Sequence, residues 1–496
     1  MLPVILGCLA LSALTLLFPS TPTYDPWAWI MWGREITHLD LVTEGGPSWK
    51  PLPVLFTTPF SLFGAEAAPM LWLWIGRAGA LLSLAMAFRL GRRLTGEGLP
   101  GWVGGVCATL FLLTTYQFVR DSMLGNSEAM LAALALWAFE RHLDGRRDHA
   151  LYLGFAAALL RPEAWPFLGL YGLWLWFRDP ELRLRIAAIG VAVPVLWFGP
   201  ELWGSGEPLR ASSRANNPNP GSAAFADNPG LEVVKRFAER TVIPLFAAAL
   251  VAVALAGRAW LRDRREGATL ALGGIAFAWI ALVGVMTEAG YAGNQRYLVV
   301  TTAALCVLGG VGVGWLFARL RSLADGLTGS AGRGLAVTGV VALLGVVVLS
   351  PVIRDKADNI DVTLDVLRYE ASLWDTLPGM IEKGGGRDRI LACGNVYSGP
   401  FQTQMVAYEL GIHGIDVGAL FGTPAPGVVF RTKTRTTSPI VPKLTDPRMR
   451  LVTTSGRWRL VTAPRSDARG RACPSGGPDA PRVAPRSVTP ELRSSR

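Results

Sequence analysis

The chain is short of charge. Of its 496 residues only 17% are Asp, Glu, Lys or Arg, while 51% are apolar. A soluble protein of this length needs more charge to cover its surface, which excludes a soluble globular enzyme. Cysteine is sparse, five in all, and no pair has the C-x-x-C spacing of a metal site. No cofactor is implied, and a divalent metal is compatible with the chain without being indicated. A basic stretch ahead of the first apolar run is missing, and residues 24–35 behind it match a cleavage site poorly. Residues 2–18 therefore read as a retained first span and not as a signal peptide. Internal repeats are also lacking.

What is present is apolar sequence in blocks of about 15–22 residues, near the roughly 20 needed to cross a bilayer as a helix, together with 18 tryptophans. The net charge of +11 does not point to nucleic acid. Arginines recur in alternate short loops: 89, 92 and 93; 141, 146 and 147; 178, 183 and 185; 258, 262, 264 and 265; 319, 321 and 333. This is the positive-inside pattern. It puts the N-terminus in the cytoplasm and predicts spans at 2–18, 70–90, 101–119, 128–142, 186–203, 242–260, 269–287, 297–318 and 335–350. Residues 150–177 are interrupted by Arg161-Pro162-Glu163. Read as one helix, this stretch would violate the charge rule. As two short helices turning outside it restores the topology, and such short pieces are tolerated only around protein or a cavity. The fold class is a polytopic α-helical protein of the plasma membrane with about eleven membrane segments.

The membrane module covers 1–350, with a long first outer loop at 19–69 and a second at 204–241. From residue 351 the composition turns soluble, and 351–463 reads as a small extracytoplasmic α/β domain. Within it helices are expected at 361–377 and 401–410, strands at 389–393 and 458–463, and a turn at 394–400. The tail 464–496, rich in Arg, Pro, Ser and Gly, reads as disordered. Cys8, Cys107 and Cys306 lie in apolar spans. Cys393 and Cys473 lie in the polar region, where an oxidising compartment would let them pair.

Oriented this way, ten ionisable residues map to the outer ends of helices: Asp25, Glu35, Lys50, Arg120, Asp121, Glu128, Arg161, Glu163, Glu288 and Arg296. Charges at a membrane are costly and mark substrate sites. Asp25, just before Pro26, suits a helix N-cap, a general base, or both. Trp27, Trp29 and Trp32 suggest a helix lying in the membrane interface. Lys50, between Trp49 and Pro51, and Arg296, opening a span from outside, are candidate phosphate ligands; capping or snorkelling is the alternative for Arg296. Arg120, Asp121, Glu128, Arg161 and Glu163 could support such a site or simply pair locally. His38 is a candidate proton carrier.

The ordered set of Asp25, Trp49-Lys50-Pro51-Leu52-Pro53, Gly125-Asn126-Ser127-Glu128, Leu160-Arg161-Pro162-Glu163 and Gln295-Arg296-Tyr297-Leu298 resembles the GT-C superfamily of integral-membrane glycosyltransferases. Within it the protein mannosyltransferases and aminoarabinose transferases show a similar order of features. The resemblance covers roughly residues 1–350. It implies a polyprenyl-phosphate-linked sugar donor, chemistry on the outer face, Asp25 as base, and Lys50 and Arg296 on the donor phosphate. The acceptor would be an envelope glycan, lipid or protein. The sequence departs from the family pattern in two places: Asp25 is followed by Pro26 where the family often has a second acid, and no acid or histidine precedes the lysine. The long first loop and outer domain resemble actinobacterial cell-envelope members, which would use decaprenyl-phosphate arabinose or mannose. Two other classes compete: a transporter or flippase for a lipid-linked or anionic solute, and a non-catalytic envelope scaffold. A transporter should carry charge near mid-membrane and show repeat symmetry, which this chain does not.

Overall fold

Proline and glycine punctuation sets where the helices begin and end. The computed structural model describes residues 1–474 apart from 116, 349, 420–426, 435, 445–447 and 464–472. The chain starts with α1 (Leu2–Thr15), α2 (Tyr24–Thr37) and α3 (Pro51–Ser61), followed by α4 (Ala67–Thr95), α5 (Gly98–Leu113), α6 (Phe118–Met123) and α7 (Glu128–Leu143). Next come α8 (Arg147–Ala158), α9 (Trp165–Arg178), α10 (Arg183–Ser205), α11 (Arg210–Ala215) and α12 (Pro229–Arg240). The helical bundle closes with α13 (Ile243–Asp263), α14 (Gly267–Glu288), α15 (Val299–Thr328) and α16 (Ala331–Val348).

Five helical stretches among the described residues are long and apolar enough to cross a membrane: Ala67–Thr95, Pro180–Ser205, Ile243–Asp263, Gly267–Glu288 and Gln295–Thr328. α1 and α5 are shorter apolar helices. The chain is a multi-pass membrane protein; the five full-length spans among the described residues are part of the about eleven segments expected, a count that included two short helices. Part of the difference is that the stretch expected to cross at 101–119 ends at Leu113. At about 1.5 Å per residue, the 29 residues of α4 exceed the roughly 30 Å hydrocarbon core. Its Arg89, Arg92 and Arg93 end can therefore leave the apolar layer. α15 is the most buried of these helices, and it packs closely on α5. A Cβ on Gly310 would collide with the Gly104 carbonyl, so the backbones meet where no side chain fits.

Beyond α16 the chain forms α17 (Ser350–Lys383), α18 (Arg387–Ala392) and α19 (Thr403–Leu410). They pack with strands β1 (Asn395–Ser398), β2 (Val417–Ala419), β3 (Gly427–Lys433), β4 (Ile440–Val441), β5 (Arg450–Ser455) and β6 (Trp458–Ala463). The sheet runs β2-β1-β3-β6-β5, with β4 paired to β3. β1 is parallel to both neighbours, and the β3–β6 and β5–β6 pairs are antiparallel. Two local expectations fail. Residues 389–392 are helical, because α18 opens after Gly385 and Gly386, both at positive φ, and Cys393 caps it, its amide donating to the Ile390 and Leu391 carbonyls. The strand falls instead on 395–398, inside the expected turn. Cys393 and Cys473 form a disulfide spanning 80 residues of sequence. Apart from Cys473 and Pro474, the tail expected to be disordered lies outside the described residues.

The tryptophans of α2 do not face a membrane interface. Trp27, Trp29 and Trp32 are at most 1% exposed. Trp27 lies 4.4 Å from Trp374 and 5.1 Å from Tyr408 in ring centroids, both contributed by the C-terminal region. Arg34 donates to the Tyr408 and Ile412 carbonyls, and Tyr408 donates to the Ala65 carbonyl. Each buried indole removes on the order of 200 Å² from solvent, worth several kcal/mol. The C-terminal region is thus fastened directly over the first loop.

Candidate active site

Two of the site's cations owe their places to proline. A residue before proline is pushed out of the helical region. Lys50 before Pro51 is extended, at φ −140° and ψ 113°, and so is Arg161 before Pro162, at φ −152° and ψ 135°. Each stands at the mouth of a helix that its proline starts. Leu52 N donates to the Leu159 carbonyl, which sets the two breaks side by side. The interruption between α8 and α9 is where the sequence placed it.

Asp25 lies in the first turn of α2, where the helix dipole favours a carboxylate. It is not the cap; Thr23 holds that position. The Thr23 amide donates to the Leu124 carbonyl, 3.1 Å away, which ties the start of α2 to the loop before α7. Asp25 Oδ2 accepts from Arg296 Nη1 at 2.8 Å. Arg161 grips Glu163 through Nη2 at 2.7 Å and Nε at 3.1 Å. It also donates to Tyr291 at 2.9 Å and lies over the Tyr297 ring at 3.8 Å.

Glu128 differs from these satisfied pairs. Lys50 Nζ is 3.6 Å from its Oε1, Arg161 Nη1 is 3.7 Å away and Arg296 Nε is 3.9 Å away. Neither Glu128 oxygen has a hydrogen-bond partner, although both are buried. Lys50 is likewise loosely held, donating to Ser127 Oγ at 3.1 Å and facing the Trp29 ring at 4.9 Å. Three cations and three carboxylates balance formally. The one slack pairing is Lys50 with Glu128, which is where an incoming anion meets least resistance.

Electrostatics follow the geometry. Burial opposes ionisation of Asp25, but Arg296, Lys50 and Arg161 together outweigh it and hold the carboxyl below the ordinary aspartate value. Burial pushes Lys50 below its usual value despite the neighbouring Glu128. Asp121 pairs with Arg120 at 3.3 Å, and burial pushes it up to about 6. Beside them Glu370 of α17 is pushed by burial up to about 7.

Two members of the cluster, Glu128 and Arg296, line a groove. Gln117, Asp121, Asn126 and Gln295 add further polar groups to its wall, and Phe111, Leu112, Val242, Leu245, Val299 and Leu305 make much of the rest apolar. Such a shape takes an anionic head and a hydrocarbon tail. Among the described residues no group of three His, Cys, Asp or Glu side chains is placed to hold a metal ion.

Of the ten candidate charges, Asp25, Lys50, Glu128, Arg161, Glu163 and Arg296 converge, and Arg120 and Asp121 stand beside them. Glu288 accepts from the Gly230 amide. Glu35 binds His413 Nδ1 at 2.8 Å, at the far end of α2. His38 is exposed just past the far end of α2 and turns its Nδ1 back to the Arg34 carbonyl, 2.8 Å away, so the fold does not bring it to this cluster. Sequence reasoning missed Tyr291 and Glu370, and it named Ser127 and Tyr297 only within motifs, without a role. A tyrosine in a short loop carries no signal of its own, and Glu370 comes from a region remote in sequence.

No protein-family profile matches the chain, and no curated protein matches it in sequence. Solved structures share its fold, among them two of one protein. The crystal structure of ArnT from Cupriavidus metallidurans in the apo state superposes with a TM-score of 0.55 at 14% identity, over 93% of this chain and 97% of that one. The structure of the same protein bound to undecaprenyl phosphate gives 0.50 at 15% identity, over 94% and 98%. The likeness is therefore one of fold across nearly the whole length, C-terminal region included.

Proposed function

We propose that the chain is a membrane glycosyltransferase. It would move a sugar from a polyprenyl-phosphate donor to an envelope glycan, lipid or protein acceptor at the outer face of the membrane. The observation that carries this reading is the convergence of Asp25 with Lys50, Arg161 and Arg296 around Glu128, beside a largely apolar groove that Glu128 and Arg296 line. The shared fold with a protein solved with undecaprenyl phosphate bound supports a polyprenyl-phosphate partner.

In the proposed reaction the acceptor hydroxyl oxygen attacks the anomeric carbon and its proton passes to the Asp25 carboxylate. The bond between that carbon and the phosphate oxygen breaks, and its electron pair leaves with the phosphate. One displacement inverts the anomeric centre. Lys50 and Arg296 stabilise the charge gathering on the departing group. The phosphate competes with Asp25 for Arg296. As Arg296 turns toward the donor, Asp25 loses its strongest attraction and becomes the better base.

The test is incubation of purified protein in nanodiscs with radiolabelled polyprenyl-phosphate sugars and envelope extract, wild type beside Asp25→Asn. Transfer by wild type and its loss in the variant is the expected result. Equal transfer by both would remove Asp25 as base. Binding of donor without transfer to any acceptor would favour a transporter.

A further inference from the structure

Between α10 and α13 the chain leaves the bundle, where the sequence reads as one long loop, and folds into α11 and α12. α12 is amphipathic over its 12 residues. One part of its apolar arc is already used: Val233 is fully buried, and Gly230 packs on Gly284 of α14. The adjoining part is not. Leu231 and Val234 are 69% and 44% exposed, and Ala238, also exposed, extends the row at the i, i+3, i+7 spacing of one helix face.

Two features say what covers this row. α13 begins at Ile243, three residues after α12 ends, and α13 is long and apolar enough to cross a membrane. Its own outward row of Ile243, Phe246 and Leu250 is exposed, so the α12 row continues a lipid-facing surface. At 100° per residue Lys235 sits about 40° from Leu231; its side chain is 67% exposed and only loosely paired with Glu232, 4.0 Å away. An ammonium group flanking an apolar row matches the phosphates above acyl chains.

We infer that α12 is an in-plane membrane helix, with the phospholipid surface as its partner: Leu231, Val234 and Ala238 enter the acyl layer and Lys235 meets headgroup phosphate. Phe237 and Thr241 also line the groove. The seated helix therefore forms a sill by which the groove opens to lipid instead of water. None of the residues in the row belongs to the Asp25 cluster, and the inference stands whether or not the chain transfers sugar.

The experiment places nitroxide labels on L231C, V234C and E239C, each in a C8S/C107S/C306S background that keeps the Cys393–Cys473 disulfide. The full chain is reconstituted in phosphatidylcholine–phosphatidylglycerol nanodiscs. Collision with oxygen is compared with collision with a water-soluble nickel chelate. Labels at 231 and 234 should favour oxygen severalfold, and the label at 239 should favour nickel. Nickel preference at all three would overturn the proposal, because the row would face water. Protection of 231 and 234 from both reagents would also overturn it, because protein would cover the row. Unlabelled wild type gives a second reading: amide exchange across 229–240 should be slower in these nanodiscs than in a short-chain detergent. Equal exchange in the two would count against a seated helix.

Discussion

Asp25→Asn isolates the proposed base with little change of shape. Asn keeps the volume and one acceptor oxygen for Arg296, 2.8 Å away in the wild type. The ion pair becomes a bond in which only Arg296 is charged, toward the lower end of the about 1.5–3 kcal/mol of such bonds, so stability should fall by on the order of 1 kcal/mol. Loss of a general base costs roughly 10²–10⁴ in rate, about 3–5 kcal/mol of transition-state stabilisation. Activity should therefore fall far more than stability. The pH profile adds an independent reading. Asp25 is held below its ordinary value of 3.8, and among the lowering influences Arg296 is the largest. A depressed carboxyl stays ionised down to its folded value, so the acid limb of wild-type kcat/KM that it sets should lie below pH 4. In Arg296→Met that limb should move upward, because burial is then opposed only by Lys50 and Arg161. The assay is radiolabelled transfer across pH, with thermal unfolding measured in parallel. Wild-type turnover by Asp25→Asn, or an unmoved acid limb in Arg296→Met, would refute the assignment.

Four further outcomes follow from the geometry. Glu128→Gln removes the loosely held carboxylate that an incoming phosphate must meet, so the donor KM should fall severalfold with folding preserved; a rise would mean that Glu128 itself contacts substrate. Trp27→Ala should cost roughly 3–5 kcal/mol and speed proteolysis of the C-terminal region, since Trp374 and Tyr408 rest on that indole. Cys393→Ser should lower the stability of the C-terminal region by about 2–5 kcal/mol, seen as earlier thermal unfolding, and reduction of wild type should reproduce the shift. Burial acts to lower His413, but Glu35, Asp40 and Asp416 outweigh it and raise the imidazole above its usual value. Its contribution to docking is then fully present below the unfolded value and is lost as pH rises through the folded one. Wild type should hold the C-terminal region less firmly from roughly pH 6 to 8, and His413→Gln should flatten that trend in amide exchange.

The legible parts of this protein were those governed by local rules. Apolar block length marked the membrane helices, and the prolines beside Lys50 and Arg161 drew attention to those two cations, although the helix that Pro51 starts was not read. The break at Arg161–Glu163 was visible because an uninterrupted helix would have broken the charge rule. Other parts were obscured because local signals have two meanings. Trp27, Trp29 and Trp32 look the same in sequence whether lipid headgroups or protein cover them. A short apolar run such as 389–393 does not separate strand from helix, and here the glycines before it started α18. The row on α12 went unread because charged residues interleave with it.

Sequence alone determined that the chain is a multi-pass membrane protein, that one apolar stretch breaks at Arg161–Glu163, and which charges stand at helix ends. Each of these follows from chain chemistry acting within a few residues, or from the cost of putting charge in hydrocarbon. Tertiary structure decided which charges meet. Asp25 and Arg296 are 271 positions apart, and only the packing of α2, α7 and α15 brings them together around Glu128. It also decided that the C-terminal region closes over α2, which turns an interfacial-looking helix into core. Ion pairing and burial act through space with no regard for sequence distance, so no local pattern could have encoded them.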